Sequence, residues 1–260
     1  MRISEELIHR WTLTEIKPLR EQGSRGVYGA ESGAFGPAIL KVDAGEQLKR
    51  EREMLSRMGE VTCKVLNYED GALLLERIVP GTTLREEPKL EVRMEIFADI
   101  WSNIYTPAEG GITYLDWLEK ACKVPGLPAN LQEMGKSALA ICKDLFDKYP
   151  ERMWLHGDLH HDNLLCREDG NYAVIDPKGV IGPRIMDLPR FLLNEPLENV
   201  QRAMEWLSQE LRYPLMDICQ TYYVEAVLAN LWLWEDGLPL EEEILRFAEA
   251  NRIICFSKKL

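Results

Sequence analysis

A chain of 260 residues, 46% hydrophobic and 28% charged, can form a packed core as one large domain or as two lobes. Its net charge of −12 excludes binding that neutralises nucleic-acid phosphate through clustered lysine and arginine, and leaves room for a cationic small-molecule partner. The six cysteines include no Cys-x-x-Cys pair or zinc spacing, so free, buried thiols in a reducing compartment are expected.

The opening "MRISEELIHRW" lacks an apolar stretch, so no secretory signal and a cytoplasmic location are expected. Residues 1–77 then alternate short strand-like runs with glycine turns. "EQGSRGVYGAESGAFG" (21–36) carries five glycines. Gly23 and Ser24 lie where backbone N–H groups can cover nucleotide phosphates, although an ordinary hairpin has the same composition. "PAILKV" places Lys41 inside an apolar strand, which is costly unless the ammonium meets an anion or faces water on a sheet edge. In "GEQLKREREMLSRMG" (45–59), Leu48, Glu51, Leu55 and Met58 share one helical stripe. Glu53 falls on the opposite side with Lys49, Arg50 and Arg57. Glu51, rather than Glu53, is therefore predicted to face inward and pair with Lys41; the alternative is a carboxylate held by its own helix.

"ALLLERI" (72–78) reads as another strand, and Pro80-Gly81 followed by Thr82 and Thr83 marks a change of regime. Helical periodicity follows over 89–105, 129–149, 197–211 and 215–234. The most apolar late run, "VEAVLANLWLW", contains Glu225 and Asn230 and is too short to span a bilayer. Its Trp232 and Trp234 are assigned to helix packing. The pattern predicts a strand-rich small lobe, 1–77, and a helical large lobe, 78–260.

Within the second regime lies "WLHGDLHHDNLL" (154–165), continued by "CREDGNYAVID" (166–176). Asp169-Gly170 signals a type I′ turn, which would set Asn163 directly opposite Asp176 on one face. An amide oxygen and a carboxylate so placed can chelate a hard cation such as Mg²⁺, or can simply be the polar ends of a hairpin. Asp158 precedes Asn163 by the gap found in kinase catalytic loops, where the acid receives the acceptor hydroxyl proton. His156, His160 and His161 could instead be metallohydrolase ligands, but His9 is the one remaining histidine, too few for a second cluster.

Taken together, "HRWTLTEIKPLREQGSRGVY", "AILKV", "LLLERIVPGTTL" and "WLHGDLHHDNLLCREDGNYAVIDPKGVIGPRIMDLPRFLLN" resemble the aminoglycoside/hydroxyurea phosphotransferases, the group with streptomycin 6-phosphotransferases. The resemblance covers roughly 9–84 and 153–194. It implies an α+β, bilobal, protein-kinase-like fold with a small antiparallel-sheet lobe and a mainly helical lobe. It implies ATP and Mg²⁺, and transfer of the γ-phosphoryl group to a hydroxyl of a small molecule, with aminoglycosides such as streptomycin in view. By the same resemblance Asp158 is the base, and Asn163 and Asp176 bind the metal. Lys41 holds the α/β-phosphates with Glu51 fixing it, and backbone groups of Glu76 and Ile78 read the adenine. His156 and Asp187 brace the catalytic loop, and Lys178 approaches the phosphate.

The chain departs from the family's usual His-Pro-Gly-Asn, having His160-His161-Asp162-Asn163. Asp162 is left with two readings, added charge near the metal or a cap on the turn. The resemblance fades over 85–150 and 195–260, where an acceptor would bind. A kinase of a sugar or amino alcohol in the same fold is therefore the nearest alternative, followed by a nucleotide-binding protein without catalysis.

Overall fold

The computed structural model describes residues 3–23 and 25–257. In chain order it opens with helix α1 (Glu5–Arg10), strands β1 (Leu13–Gln22), β2 (Arg25–Ser32) and β3 (Gly36–Val42), helix α2 (Gln47–Met58), and strands β4 (Val65–Glu69), β5 (Ala72–Glu76) and β6 (Pro80–Thr83). Helix α3 (Leu90–Asn103), β7 (Thr106–Pro107), α4 (Tyr114–Ala121), α5 (Ala129–Lys148) and β8 (Met153–Leu155) follow. After β9 (Leu164–Arg167), β10 (Tyr172–Val174) and β11 (Val180–Gly182) come α6 (Leu188–Leu193), α7 (Leu197–Glu210), α8 (Leu215–Glu235) and α9 (Glu242–Ser257). The four long helical stretches read from periodicity are α3, α5, α7 and α8.

The chain forms two compact units. The first comprises the residues up to Glu86 together with Asp162–Gly179; the second comprises Glu87–His161 and the chain from Val180 onward. The boundary anticipated after residue 77 falls inside the first unit, which also takes in the β9–β10 hairpin. That hairpin pairs through β9 with β6, so strand hydrogen bonding carries it there.

In the first unit five antiparallel strands lie in the order β1-β2-β3-β5-β4. Alternation along β3 decides what each face holds. Ala38, Leu40 and Val42 are buried with Leu7 and Trp11 of the N-terminal segment, whereas Ile39 packs with Leu48 and Leu55 of α2 and with Leu73 and Leu75 of β5. Lys41 has the parity of Ile39 and so belongs to the α2 face. Strand β3 lies between β2 and β5, which removes the sheet-edge reading of Lys41.

In the second unit, α8 packs against α4, α5, α6, α7 and α9, and nearly every residue from Asp217 to Leu231 is buried. A helix surrounded on all sides must be apolar all round or supply partners for its polar groups. Asp217 is paired with Lys148 at 2.5 Å, and Asn230 accepts the Glu241 N–H at 2.7 Å. No helix among the described residues is long and apolar enough to cross a membrane. The five described cysteines are free, three of them buried.

A second polar cluster ties α3 to the segment after α6. The buried Arg93 guanidinium binds Glu195 through Nε at 2.8 Å and Nη2 at 2.5 Å. His161 Nε2 lies 2.7 Å from the same carboxylate, and the imidazole stacks on Phe191, itself stacked on Phe97. Burial pushes the Glu195 carboxyl up, but the hydrogen bonds from His161 and Arg93 outweigh it and hold it at about 2. Glu195→Ala should cost about 3–5 kcal/mol in urea unfolding, because it leaves a buried guanidinium uncompensated. A carboxyl held below its ordinary value stabilises the fold above about pH 4.5, and that contribution fades as pH falls toward 2. Wild type should show this component of acid destabilisation and the variant should lack it.

Candidate functional site

The first unit brings three of the predicted residues together. Lys41 Nζ is 2.6 Å from Glu51 Oε1 and 2.8 Å from Asp176 Oδ1. Glu51 is 2% exposed and Glu53 is exposed, as the helical stripe required. Burial pulls the Lys41 ammonium down, but the two carboxylates outweigh it and hold its pKa above the usual lysine value. Burial, aided by the Asp176 charge, pushes the Glu51 carboxyl up against the pull of Lys41. Asp176 resists the upward push of burial because Lys41 and Lys178 both pair with it, and its carboxyl is held low. Its backbone takes a positive φ of 60°, unusual for a residue with a side chain, which ends the strand pattern there.

These side chains line a cavity of about 230 Å³ with Arg20, Arg25 and Gly26. Four cationic side chains therefore border it against three carboxylates, those of Asp43, Glu51 and Asp176. Arg25 is paired with Asp43 at 3.1 Å. A Cβ on Gly26 would fall 2.5 Å from the Tyr28 ring, so a side chain there would have to displace that ring. Gly23, at φ 59°, makes the turn between β1 and β2 and is not among the lining residues. Ser24 lies outside the described residues.

Glu76 and Ile78 also stand outside the lining of this cavity. The Glu76 N–H donates to the Lys64 carbonyl at 2.9 Å. Burial pushes its carboxyl up, but hydrogen bonds from Arg167 at 2.9 and 3.3 Å, and from the Lys64 N–H, hold it low. Ile78 is buried in the α2-side apolar cluster.

The β9–β10 hairpin corrects one sequence expectation. Its loop has three residues, Glu168–Gly170, rather than a two-residue Asp-Gly turn. The Gly170 N–H donates to the Arg167 carbonyl at 3.0 Å, and the Arg167 N–H donates to Asn171 at 2.7 Å. Only Gly170 takes positive φ, at 83°, whereas a type I′ turn needs it at Asp169 as well. Asp169 is instead engaged by the Asn171 N–H at 3.0 Å. The register moves by one, so Asn163 faces Ile175 and accepts its N–H at 3.0 Å. Asn163 is buried at 8% exposure and adjoins the residue before Asp176, but the two are not direct cross-strand partners.

The second unit builds the surroundings of Asp158. Buried Asp187 accepts the N–H groups of His156 at 2.7 Å and Gly157 at 2.8 Å, which fits its bracing role. Burial pushes its carboxyl up to about 7, against these two donors. The His156 imidazole accepts the Asp158 N–H at 3.1 Å. The three histidines of the loop go separate ways. His156 serves the backbone, His160 lies 3.6 Å from Asp158, and His161 is held by Glu195. Asp162 belongs to the first unit, where Arg85 grips it through two bonds of 2.7 Å. Neither of its two readings, a cap on the turn or added charge near the metal, includes this ion pair with Arg85. No set of three or more His, Cys, Asp or Glu side chains placed to hold a metal occurs among the described residues.

Sequence reasoning missed Arg190. Its Nε is 3.4 Å from Asp158 Oδ1, and its Nη2 is 2.6 Å from Glu225 Oε1 on α8. Tyr114 donates a short hydrogen bond to the other Glu225 oxygen. Burial pulls the Arg190 pKa down, but Glu225 and Asp158 outweigh it. The one available signal was an arginine inside the apolar run "DLPRFLL", a position that demands a buried anion.

Residues 10–237 match the family described as aminoglycoside/hydroxyurea antibiotic resistance kinase. The chain is 25% identical to streptomycin 3''-kinase from Klebsiella pneumoniae over 234 residues, covering 87% of this chain and 86% of that one. It is 24% identical to streptomycin 6-kinase from Streptomyces glaucescens, covering 95% and 88%. Among solved structures it resembles a thermostable mutant of aminoglycoside phosphotransferase APH(4)-Ia in complex with AMP-PNP and hygromycin B. The TM-score is 0.68 at 15% identity, covering 96% and 95% of the two chains.

Arg190→Met should destabilise the protein by about 3–5 kcal/mol in urea unfolding, because Glu225 is left buried without its cation. Arg190→Lys, which keeps the charge but not the fork, should lose less.

Proposed function

This chain belongs to the aminoglycoside/hydroxyurea antibiotic resistance kinase family, and on that premise we propose that it transfers the γ-phosphoryl group of ATP to a hydroxyl of a streptomycin-like aminoglycoside. It is a small-molecule kinase with a hydroxyl acceptor. The observation that carries the nucleotide half is the ammonium of Lys41 clamped between Glu51 and Asp176 beside a cavity bordered by four cations. A lysine held charged at the wall of a small polar cavity is what phosphate oxygens require.

Each residue has a definite task in this reaction. Lys41 binds the α/β-phosphates, and Glu51 keeps its ammonium in place. Lys178, which shares Asp176 with Lys41, turns to the transferring phosphate. Gly26 lets the backbone approach where a side chain would have to displace the Tyr28 ring. Glu76 and Ile78 would offer backbone groups to the adenine.

Asn163 and Asp176 would hold Mg²⁺. Both offer hard oxygen, and a protein site of two such donors suits an ion that completes its shell with phosphate and water. The ion, when bound, neutralises charge on the β- and γ-phosphates.

Asp158 accepts the proton of the acceptor hydroxyl as its oxygen bonds to the γ-phosphorus and the bond to the bridging oxygen of ADP breaks. Asp187, through the backbone of His156 and Gly157, holds the loop that carries Asp158. Transfer through a loose transition state depends on this positioning more than on basicity. The two streptomycin kinases modify different hydroxyls and are about equally similar to this chain.

The deciding measurement is ADP release with streptomycin, hydroxyurea, a sugar and an amino alcohol as acceptors, with the modified position read by NMR. Turnover confined to the sugar or amino alcohol would replace this reading with that of a metabolite kinase. Asp158→Ala should lower kcat by a factor on the order of 10²–10⁴ with nucleotide binding intact. Asp176→Ala should weaken Mg·ATP binding and flatten the Mg²⁺ dependence of the rate; an unaltered Mg²⁺ dependence refutes its assignment as a ligand.

A further inference from the structure

The second unit closes a ring of contacts around Asp158 that the catalytic roles above do not use. Asp158 Oδ1 lies 3.4 Å from Nε of Arg190. The guanidinium carbon of Arg190 sits 5.5 Å from the centre of the Trp232 ring. Trp232 meets Trp117 edge to face, with centroids 5.8 Å apart. Trp117 in turn lies against Gly157, the neighbour of Asp158, where an added Cβ would fall 2.9 Å from the indole. A guanidinium thus borders the carboxylate, and the two indoles adjoin it through Arg190 on one side and Gly157 on the other.

Trp117 and Trp232 are half-buried, unlike fully buried aromatic residues of the same unit such as Tyr114 at 2% and Trp101 at 4% exposure. Helix packing, the role assigned to Trp232 from sequence, accounts for only part of their surface.

We propose that Trp117 and Trp232 form the wall of the acceptor site and that they select a saturated polyhydroxylated ring, a sugar or aminocyclitol, by its C–H face. The proposal rests on Asp158 being the base that receives the acceptor proton. A hydroxyl within about 2.6–3.2 Å of that carboxylate brings the rest of its ring over the adjoining indoles. The electron-rich face of an indole attracts the weakly positive C–H face of such a ring, and the polar edge keeps its hydroxyls free for Asp158.

Arg190 refines the choice. An aromatic face can also take a cation, but the guanidinium already lies over Trp232. An acceptor ammonium at that face would meet a like charge. The amines of an aminoglycoside are therefore turned away from Arg190, and the carbon skeleton meets the Trp117 ring and the face of Trp232 that Arg190 leaves uncovered. Hydroxyurea has no C–H face and gains nothing from the wall.

Steady-state kinetics of the full chain with streptomycin and ATP test this, using Trp117→Ala, Trp232→Ala, Trp117→Phe and Trp232→Phe. The alanine variants should raise the KM for streptomycin about tenfold or more, with the KM for ATP unchanged. The phenylalanine variants, which keep a ring face, should recover most of the loss. Should the alanine variants fail to fold, quenching of tryptophan fluorescence by streptomycin carries the test: it should be strong in wild type and reduced in both phenylalanine variants. Any turnover of hydroxyurea should be insensitive to all four changes. A wild type active on streptomycin whose KM survives in the alanine variants or, where these fail to fold, whose quenching survives in the phenylalanine variants overturns the wall. A wild type that binds and phosphorylates no ring acceptor overturns the functional reading itself, and the wall with it.

Discussion

An ammonium inside a β-sheet has to be paired. Lys41 sits on a strand flanked on both sides, on the face covered by α2, and taking a lone charge out of water there would cost several kcal/mol. The first unit is arranged around this constraint. Helix α2 turns Glu51, not Glu53, toward the sheet, and the chain after β10 leaves the strand conformation at Asp176 so that its carboxylate reaches the same nitrogen. Two acids on one lysine keep it charged and fixed, at the wall of the cavity where phosphate would bind. The ion cluster is a folding constraint, and on the function proposed above it would also be the anion site.

The second unit solves the same problem twice with arginine. Arg93 is gripped by Glu195, and Arg190 by Glu225 and Asp158. In each case a planar guanidinium answers a buried carboxylate, which suits its fork of donors better than it would suit lysine. Both clusters reach the catalytic loop, one through His161 and the other through Asp158. With Asp187 accepting from His156 and Gly157, the second unit holds this stretch at residues 156, 157, 158 and 161. His161 and Asp162, where the chain leaves its family's usual pattern, each have a partner within their own unit, Glu195 for His161 and Arg85 for Asp162.

What was legible in the sequence and what was not differ in range. Glu51 could be assigned over Glu53 because helical spacing places it on a stripe with Leu48 and Leu55, neighbours a turn or two away. The four long helices were legible for the same reason. The hairpin register was not, because Asp169-Gly170 fits two turns, and the choice depended on whether Asp169 would adopt positive φ or bind Asn171. Arg190 was not, because its partners Asp158 and Glu225 lie some thirty residues to either side. The anchor of His161 is 34 residues on, and that of Asp162 is 77 residues back.

The sequence by itself determined where the candidate groups stand: a lysine in an apolar strand, a glutamate on the inward stripe of the next helix, and an Asp, Asn and Asp in order along one loop and hairpin. These follow from local periodicity and from the rule that a charge placed among apolar residues must find a partner. Only the tertiary structure decided which partner each charge finds, how the hairpin registers, and that Trp117 comes against Gly157 and Trp232 beside Arg190. Those outcomes depend on the competition among distant segments for the same buried space, and no spacing along the chain encodes its result.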